Sequence, residues 1–421
     1  MDKSKVATPK NVLLPTAVAR RLKELLSRGP IRDLRRAAAR RAIPAWIVGG
    51  APRDLWLGRP ILDVDVAVDG DAFSLASELE GLAAGRLVPL SADPPRVFRL
   101  AGPKVELDLA EIERGSILAD LGRRDFTANA IALPLFGGPP LDPFGGLSDL
   151  EAGRLRAIAA SNFADDPLRA LRAARLMATH GLAPDRRTSA ICRKAAPGLA
   201  NVAPERVRTE LAKLLETRRA EPALAWAARA GLLSPALGCP VPPRVAHRFA
   251  RRGVRSDDPA VLRLAPEARR TVRLAQIAAA LSLSPTQTAR WLAARRWSRA
   301  EASAAARVLE LAGEARRPAC DSWRWVVLAG PSAPRALALL AASGKSSRLL
   351  AARLARRVET ARRGPRFAGS DVLSWTGIAP GPEVGKLLFE LEVAAVSGRI
   401  RTRREGRKWL LQRAPAIIRS S

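Results

Sequence analysis

Two aspartates, Asp63 and Asp65, carry the strongest chemical signal in this chain. They lie in Ile61-Leu62-Asp63-Val64-Asp65-Val66-Ala67-Val68, a run rich in β-branched residues that predicts a strand. Side chains alternate faces along a strand, so both carboxylates project from one side. Two carboxylates on one face repel unless a cation sits between them. Hard oxygen ligands at this spacing suit Mg²⁺, which takes one or two protein carboxylates and fills its shell with water and phosphate oxygens. Just upstream, Val48-Gly49-Gly50-Ala51-Pro52-Arg53-Asp54 supplies glycines that let backbone approach a phosphate, with the charge of Arg53 close by. Each half alone has a plainer explanation: a turn for Gly-Gly, a solvated strand face or a Ca²⁺ loop for Asp-x-Asp. Together they predict metal-assisted nucleotidyl transfer.

Further groups of the same kind follow. In Val105-Glu106-Leu107-Asp108-Leu109, Asp108 is a candidate third carboxylate. It could activate an attacking hydroxyl or ligate one metal of a two-metal displacement. Glu106 shares its face and competes for the role. Arg123-Arg124-Asp125-Phe126-Thr127-Ala128-Asn129-Ala130 places two arginines, an acid and an Asn over one or two expected helical turns. Such a set can grip a triphosphate and a ribose. Leu141-Asp142-Pro143-Phe144-Gly145-Gly146 reads as a turn. In Asp165-Asp166-Pro167-Leu168-Arg169-Ala170-Leu171-Arg172-Ala173-Ala174-Arg175, one acid and three arginines recur every third residue and form a drifting helical stripe. Asp166 and Pro167 also suit a helix start. An acid-plus-arginine edge can read a base: carboxylate accepts from an exocyclic amine, and guanidinium donates to a ring nitrogen or carbonyl. CTP and ATP carry that amine; UTP does not.

These residues need rigid elements to hold them. From about 31 to 155 the pattern predicts a mixed α/β head, with strands at 45–48, 62–68, 86–90, 97–100, 105–110 and 131–135. After about 160, strand signals vanish and Ala, Leu and Arg run in helical periodicity almost to the end. The first 28 residues read as a polar lead followed by a basic amphipathic helix. The chain has 421 residues, enough for two to four domains. It carries 71 Lys+Arg against 40 Asp+Glu, a formal net charge of +31. Charge on that scale is the footprint of a polyanion partner, nucleic acid above all. No apolar run appears long and uninterrupted enough to span a bilayer, and Met1-Asp2-Lys3-Ser4-Lys5 has no apolar signal core, so no membrane partner is expected. Cys192, Cys239 and Cys320 are isolated, which fits a reducing cytoplasm. With only His180 and His247 in the chain, a zinc site or a His-based triad is disfavoured.

Taken in order, these motifs resemble the class II tRNA nucleotidyltransferase and bacterial poly(A) polymerase family of the polymerase-β-type superfamily. The matching residues are Gly49-Gly50-x-x-Arg53-Asp54 with Asp63-x-Asp65, Arg123-Arg124-Asp125-Phe126-Thr127-x-Asn129-Ala130, Asp142-Pro143-x-Gly145-Gly146, and Asp166-Pro167-Leu168-Arg169-x-x-Arg172. They cover roughly residues 45–180. A weaker likeness to the tail of tRNA nucleotidyltransferases runs from Phe367 to Leu388. The family usually has Glu-Asp where this chain has Asp165-Asp166.

The resemblance implies an α+β protein: a nucleotidyltransferase head with a mixed sheet, then an all-helical neck, body and tail. It divides the chain into a basic extension (1–30), head (31–155), base-recognition neck (156–218), RNA-binding body (219–362) and RNA-binding tail (363–421). By resemblance Asp63 and Asp65 are the metal-binding catalytic pair. The glycine loop (Gly49, Gly50), Arg53 and Arg124 meet the nucleotide phosphates, with Asp125 and Asn129 in the same nucleotide site. Asp166, Arg169 and Arg172 form a template for the incoming base. The implied activity is Mg²⁺-dependent addition of CCA to tRNA 3′ ends from CTP and ATP. A poly(A) polymerase and a partial CC-adding or A-adding enzyme remain as alternatives, and no oligomeric state follows.

Overall fold

The β-rich runs assemble into one six-stranded sheet. β1 (Ala45–Val48), β2 (Asp63–Val68), β3 (Arg86–Ser91), β4 (Val97–Ala101), β5 (Glu106–Glu111) and β6 (Leu133–Pro134) stand in the order β3-β4-β5-β2-β1-β6. β2 and β5 run parallel, and the other neighbouring pairs are antiparallel. This computed structural model describes residues 14–61, 63–82, 85–91, 96–101, 106–112, 116–245, 259–318, 320–362 and 364–419. Leu62 and Val105, expected at strand starts, lie outside the described residues, as does His247.

β2 is interior to the sheet and alternates cleanly. Val64, Val66 and Val68 are fully buried, as are Leu107 and Leu109 on β5, while Asp63 is exposed and Asp65 half-buried on the other face. Helices α1 (Thr16–Ser27), α2 (Gly29–Arg40), α3 (Gly50–Trp56) and α4 (Ala72–Gly81) are built from the same first stretch of chain. Val18 and Leu25 of α1, Leu34 and Ala38 of α2, and Leu75 and Leu79 of α4 join those strand residues in one core. Each such aliphatic side chain contributes about 1.5–3 kcal/mol by leaving water. The apolar face of β2 therefore fixes which way its carboxylates point.

α5 (Ile117–Gly122), α6 (Gly146–Glu151), α7 (Ala160–Asp165), α8 (Leu168–His180) and α9 (Arg186–Ala195) follow. The expected helical turns at Arg123–Ala130 are not formed. Phe126 is extended and bridges Ala157, and only Thr127–Asn129 makes a short 3₁₀ turn. Strand structure also continues past residue 160: β7 (Arg154–Leu155) pairs in parallel with β8 (Ala183–Pro184). α8 closes at Gly181, whose φ of 72° is the left-handed cap glycine tolerates.

The chain divides into two compact units, Met1–Val202 with Ala230–Leu232, and Ala203–Arg229 with Leu233–Ser421. The described residues of the second unit are helical, with long elements at Arg299–Arg316, Lys345–Ala361 and Arg403–Arg419. Ser284 and Ser298 start two of its helices with reciprocal capping boxes. One of its cores gathers around Trp325, another around Leu387, Leu391 and Leu410. Ser322–Ala342, at mean hydropathy 1.4, has the length and composition to cross a membrane, in contrast to the sequence expectation. It is interrupted by a 3₁₀ turn at Gly330–Ser332, and Trp325, Leu339 and Leu340 within it lie buried in the Trp325 core.

Candidate active site

Strand register decides which acids meet. Asp65 on β2 lies opposite Val48 of β1 and Asp108 of β5, and Asp63 lies opposite Glu106. The four carboxylates thus share one face of two adjacent strands, about 4.8 Å apart. Asp108 is also opposite Arg99 of β4, which grips it with Nε–Oδ1 2.8 Å and Nη2–Oδ2 2.7 Å. Arg99 Nη1 stands 3.5 Å from Glu106. Both candidates for a third carboxylate are therefore matched by one guanidinium. Among the described residues no group of three or more His, Cys, Asp or Glu side chains is gathered as a metal cage. Among those residues, Asp63 and Asp65 lie on this face without a matching guanidinium pair of the kind that holds Asp108.

That pair has the chemistry of a hard-cation site. Burial pushes the Asp65 carboxyl above the usual carboxylate range, Asp108 and Asp63 push it further, and Arg124 and Arg172 only partly offset them. A carboxylate so placed gains from a cation beside it. The backbone is shaped around it as well. Gly49 has φ +73°, and a Cβ there would fall 2.2 Å from Asp65 Oδ2 and 3.4 Å from an Arg124 Nη1. Only glycine leaves room for the carboxylate and accepts this conformation.

Arg124 is aimed by two groups that the motif reading passed over. Asp120 accepts from its Nε and Nη2 at 3.2 and 2.9 Å. Asn162 Nδ2 donates to the carbonyls of Gly122 and Arg124 at 2.9 and 2.7 Å, pinning the Arg123–Asp125 segment. Asp120 stands four residues before Arg124, a spacing that marks a helical ion pair and was available in the sequence. Asn162 gave no comparable signal, because it acts on carbonyls about 40 residues away.

Arg53 sits differently from the sequence expectation. It is 6% exposed, and all three guanidinium nitrogens are engaged. Nε and Nη2 donate to Asp54 at 3.0 Å each, and Nη1 donates to Asn129 Oδ1 at 2.6 Å. Asn129 Nδ2 donates to Asp125 Oδ1 at 2.8 Å. Arg172 on α8 reaches Asp125 Oδ2 at 3.2 Å. Burial opposes charge on Asp125, but Arg172, Asn129, the Phe126 amide and Arg169 outweigh it and hold the carboxyl below the usual range. Asp125 is thus an ionised hub between the glycine-loop helix and α8.

Arg169 Nη1 donates to the Arg123 carbonyl at 2.6 Å, and Asp166 Oδ1 accepts from the Leu168 amide at 3.3 Å. Arg169 and Arg172 therefore line the α8 edge that meets the Arg123–Asp125 segment, and Asp166 stands just before that helix. Asp142, expected only as a turn residue, caps α6 by accepting from the Gly146 and Leu147 amides at 2.6 and 2.9 Å. Gly146 has to be small, since a Cβ there would lie 2.2 Å from the Thr127 carbonyl. Asp149 holds Thr127 Oγ1 at 2.7 Å and Arg156 Nε at 2.8 Å. Asp142-Pro143-x-Gly145-Gly146 thus serves the site by packing α6 against the turn that carries Asn129.

Residues 45–156 match the family model described as the poly A polymerase head domain. Residues 181–240 match one described as a probable RNA and SrmB-binding site of polymerase A. A CC-adding tRNA nucleotidyltransferase of Geobacter sulfurreducens is 32% identical over 408 residues, covering 88% of this chain and 92% of that protein. One from Synechocystis is 39% identical over 193 residues, 45% of this chain and 46% of that protein. The crystal structure of the Bacillus stearothermophilus CCA-adding enzyme in complex with CTP superposes with a TM-score of 0.69 at 26% identity, covering 94% of this chain and 100% of that one.

Proposed function

The chain belongs to the class II tRNA nucleotidyltransferase and poly(A) polymerase family, and on that premise we propose that it adds C and A nucleotides to the 3′ end of tRNA from CTP and ATP. The observation that carries the reading is the seat of Asp65: a half-buried carboxylate with a raised pKa, beside Asp63, packed on a glycine that cannot be larger and with Arg124 and Arg172 near it.

Asp63 and Asp65 would hold Mg²⁺, the hard cation their oxygens suit. When bound, the metal supplies charge neutralisation at the triphosphate and a lowered pKa for the attacking hydroxyl. The RNA 3′-oxygen attacks the α-phosphorus, the bond to the β-phosphate oxygen breaks, and pyrophosphate leaves. Arg124, held by Asp120, places its charge beside Asp65, where the triphosphate has to lie. Arg53, through Asp54 and Asn129, stiffens the glycine loop against which the phosphates rest. Asp166 accepts from the exocyclic amine of C or A, while Arg169 and Arg172 donate to the remaining base edge. The basic helical second unit holds tRNA through phosphate contacts that sense its shape. A cytoplasmic location goes with this reading, in keeping with the isolated cysteines.

A second reading, addition of CC alone, is favoured by one finding: the relative matched over nearly its whole length is named CC-adding. Incorporation into tRNA transcripts ending before CCA, after C and after CC separates the readings. Each is given labelled CTP alone, ATP alone and both, beside an unstructured RNA. Completion to CCA on all three supports the full activity. Arrest at CC supports the second reading, and long ATP-only tails on unstructured RNA would mean a poly(A) polymerase.

A further inference from the structure

The path from Arg172 to Arg53, an ion pair to Asp125 and then hydrogen bonds through Asn129, does not end at Asp54. His180, the last residue of α8, donates from Nε2 to Asp54 Oδ1 at 2.8 Å. Arg53 Nε donates to that same oxygen. The path therefore starts on α8 at Arg172, passes through Asp125, Asn129, Arg53 and Asp54, and returns to α8 at His180. It is a closed circuit with both ends on one helix. Arg53, Asn129 and Asp125 are 6%, 4% and 3% exposed, and the His180 side chain is 7% exposed. Thr179 Oγ1, 2.6 Å from Nδ1, fixes the other edge of the ring. Asn129 bridges the ionised Asp125 and Arg53 by donating to one and accepting from the other, and Arg53 in turn pairs with Asp54, so each link joins a donor to an acceptor.

α8 is thereby held at both ends. Arg169 and Arg172 tie its first half to the Arg123–Asp125 segment, and His180 ties its last residue to the glycine-loop helix. His180 follows Arg172 by eight residues, about 12 Å along the axis. The buried apolar face of α8, with Leu171 and Leu176, sets its seat, and polar ties at both ends fix its direction more closely than one tie would. Buried hydrogen-bonded networks also act as units, since loosening one link weakens the polarisation of the next.

We propose that His180 is a positioning residue for base selection: by closing the circuit through Asp54 it makes the glycine-loop Arg53 and the base-reading Arg169 and Arg172 a single rigid body. The inference rests on the nucleotidyl-transfer reading above. Under it, triphosphate seated on the glycine loop and base read by α8 are aligned by the same bonds. His180 touches neither, and acts on base choice only through Asp54 and the helix it anchors.

The test is single-nucleotide addition to a tRNA transcript lacking CCA, with kcat/KM measured for CTP and UTP on the full chain. In His180→Ala the CTP:UTP ratio falls by about tenfold, as sub-ångström to ångström misplacement of reading groups produces. His180→Gln, whose side-chain amide reaches as far as imidazole Nε2, keeps the wild-type ratio. His180→Asn, equally polar but one carbon shorter, loses it as Ala does. The Gln and Asn pair carries the test if His180→Ala does not fold. An unchanged ratio in the Ala or Asn variant, whatever its loss in overall rate, overturns the latch while leaving the nucleotidyl-transfer reading intact. Wild-type protein that adds no nucleotide to tRNA overturns both.

Discussion

Arginine does opposite work in the two units. In the first, the four guanidinium groups around the candidate site are buried or half-buried and each has a defined acceptor: Arg53 on Asp54 and Asn129, Arg124 on Asp120, Arg99 on Asp108, Arg172 on Asp125. In the second, some pair with carboxylates, as Arg270 does with Glu216 and Glu301, and others lie over aromatic rings. Arg357 stands 4.2 Å from the Trp323 ring centre, Arg403 5.8 Å from Trp375 and Arg413 5.7 Å from Trp409. The contrast has exceptions inside the second unit, where Arg273 is fully buried and donates to the carbonyls of Leu215 and Thr217. Composition alone, then, does not separate charge that positions chemistry from charge that attracts a polyanion. Burial and the identity of the acceptor do. Removing a paired, buried charge strands its partner and costs a specific function, whereas removing an exposed one costs screened attraction.

The largest effect that would sharpen this comparison is at the carboxylate pair. Asp63→Ala should lower nucleotide addition by more than about 10³-fold while tRNA affinity in a filter-binding assay stays within about twofold. Equal losses of binding and addition would erase the distinction between the units. Next comes Gly49→Ala, whose new methyl displaces Asp65 or the loop; addition should fall by about 100-fold in steady-state assays. Arg169→Ala should relax CTP over UTP preference by about tenfold with a smaller change in the KM for triphosphate. An unaltered preference would remove α8 from base reading. The smallest effect belongs to the second unit. Arg404 and Arg407 are exposed, and replacing both with Ala should weaken tRNA binding by a few-fold and reduce the slope of log affinity against log salt by about 2.

Asp65 also yields a stability signature. Burial raises its folded carboxyl above the unfolded value. The protonated form is therefore favoured by folding, and that contribution is present at pH below the unfolded value and lost as pH rises through the folded one. In metal-free protein, Asp65→Asn should remove this dependence and raise Tm at neutral pH by about 1–3 °C, even as it abolishes addition. A lower Tm for that variant would contradict the strained-carboxylate account.

Much of the fold was legible because the sheet obeys period two. Val64, Val66 and Val68 alternate with Asp63 and Asp65, so strand position and carboxylate direction came from one pattern. The Arg123–Asn129 segment misled for a physical reason. Its helix-compatible composition is overridden by Phe126, which is fully buried in extended form against Ala157. Of the candidate site, the residues proposed to meet nucleotide were visible as spaced acids and arginines. Those that hold them were not: Asn162, Asp149, Arg99 and His180 act through contacts distant in sequence, set by register and packing. Arg53 was legible as a charge, but its burial and its partners Asp54 and Asn129 were not.

The most direct test of the central claim is incorporation of labelled CTP and ATP into a tRNA transcript lacking CCA, by wild-type protein beside Asp63→Ala. The account predicts Mg²⁺-dependent addition of C, with A following where the full activity holds, and none in the variant. Addition retained by Asp63→Ala, or no addition by wild-type protein, would contradict it.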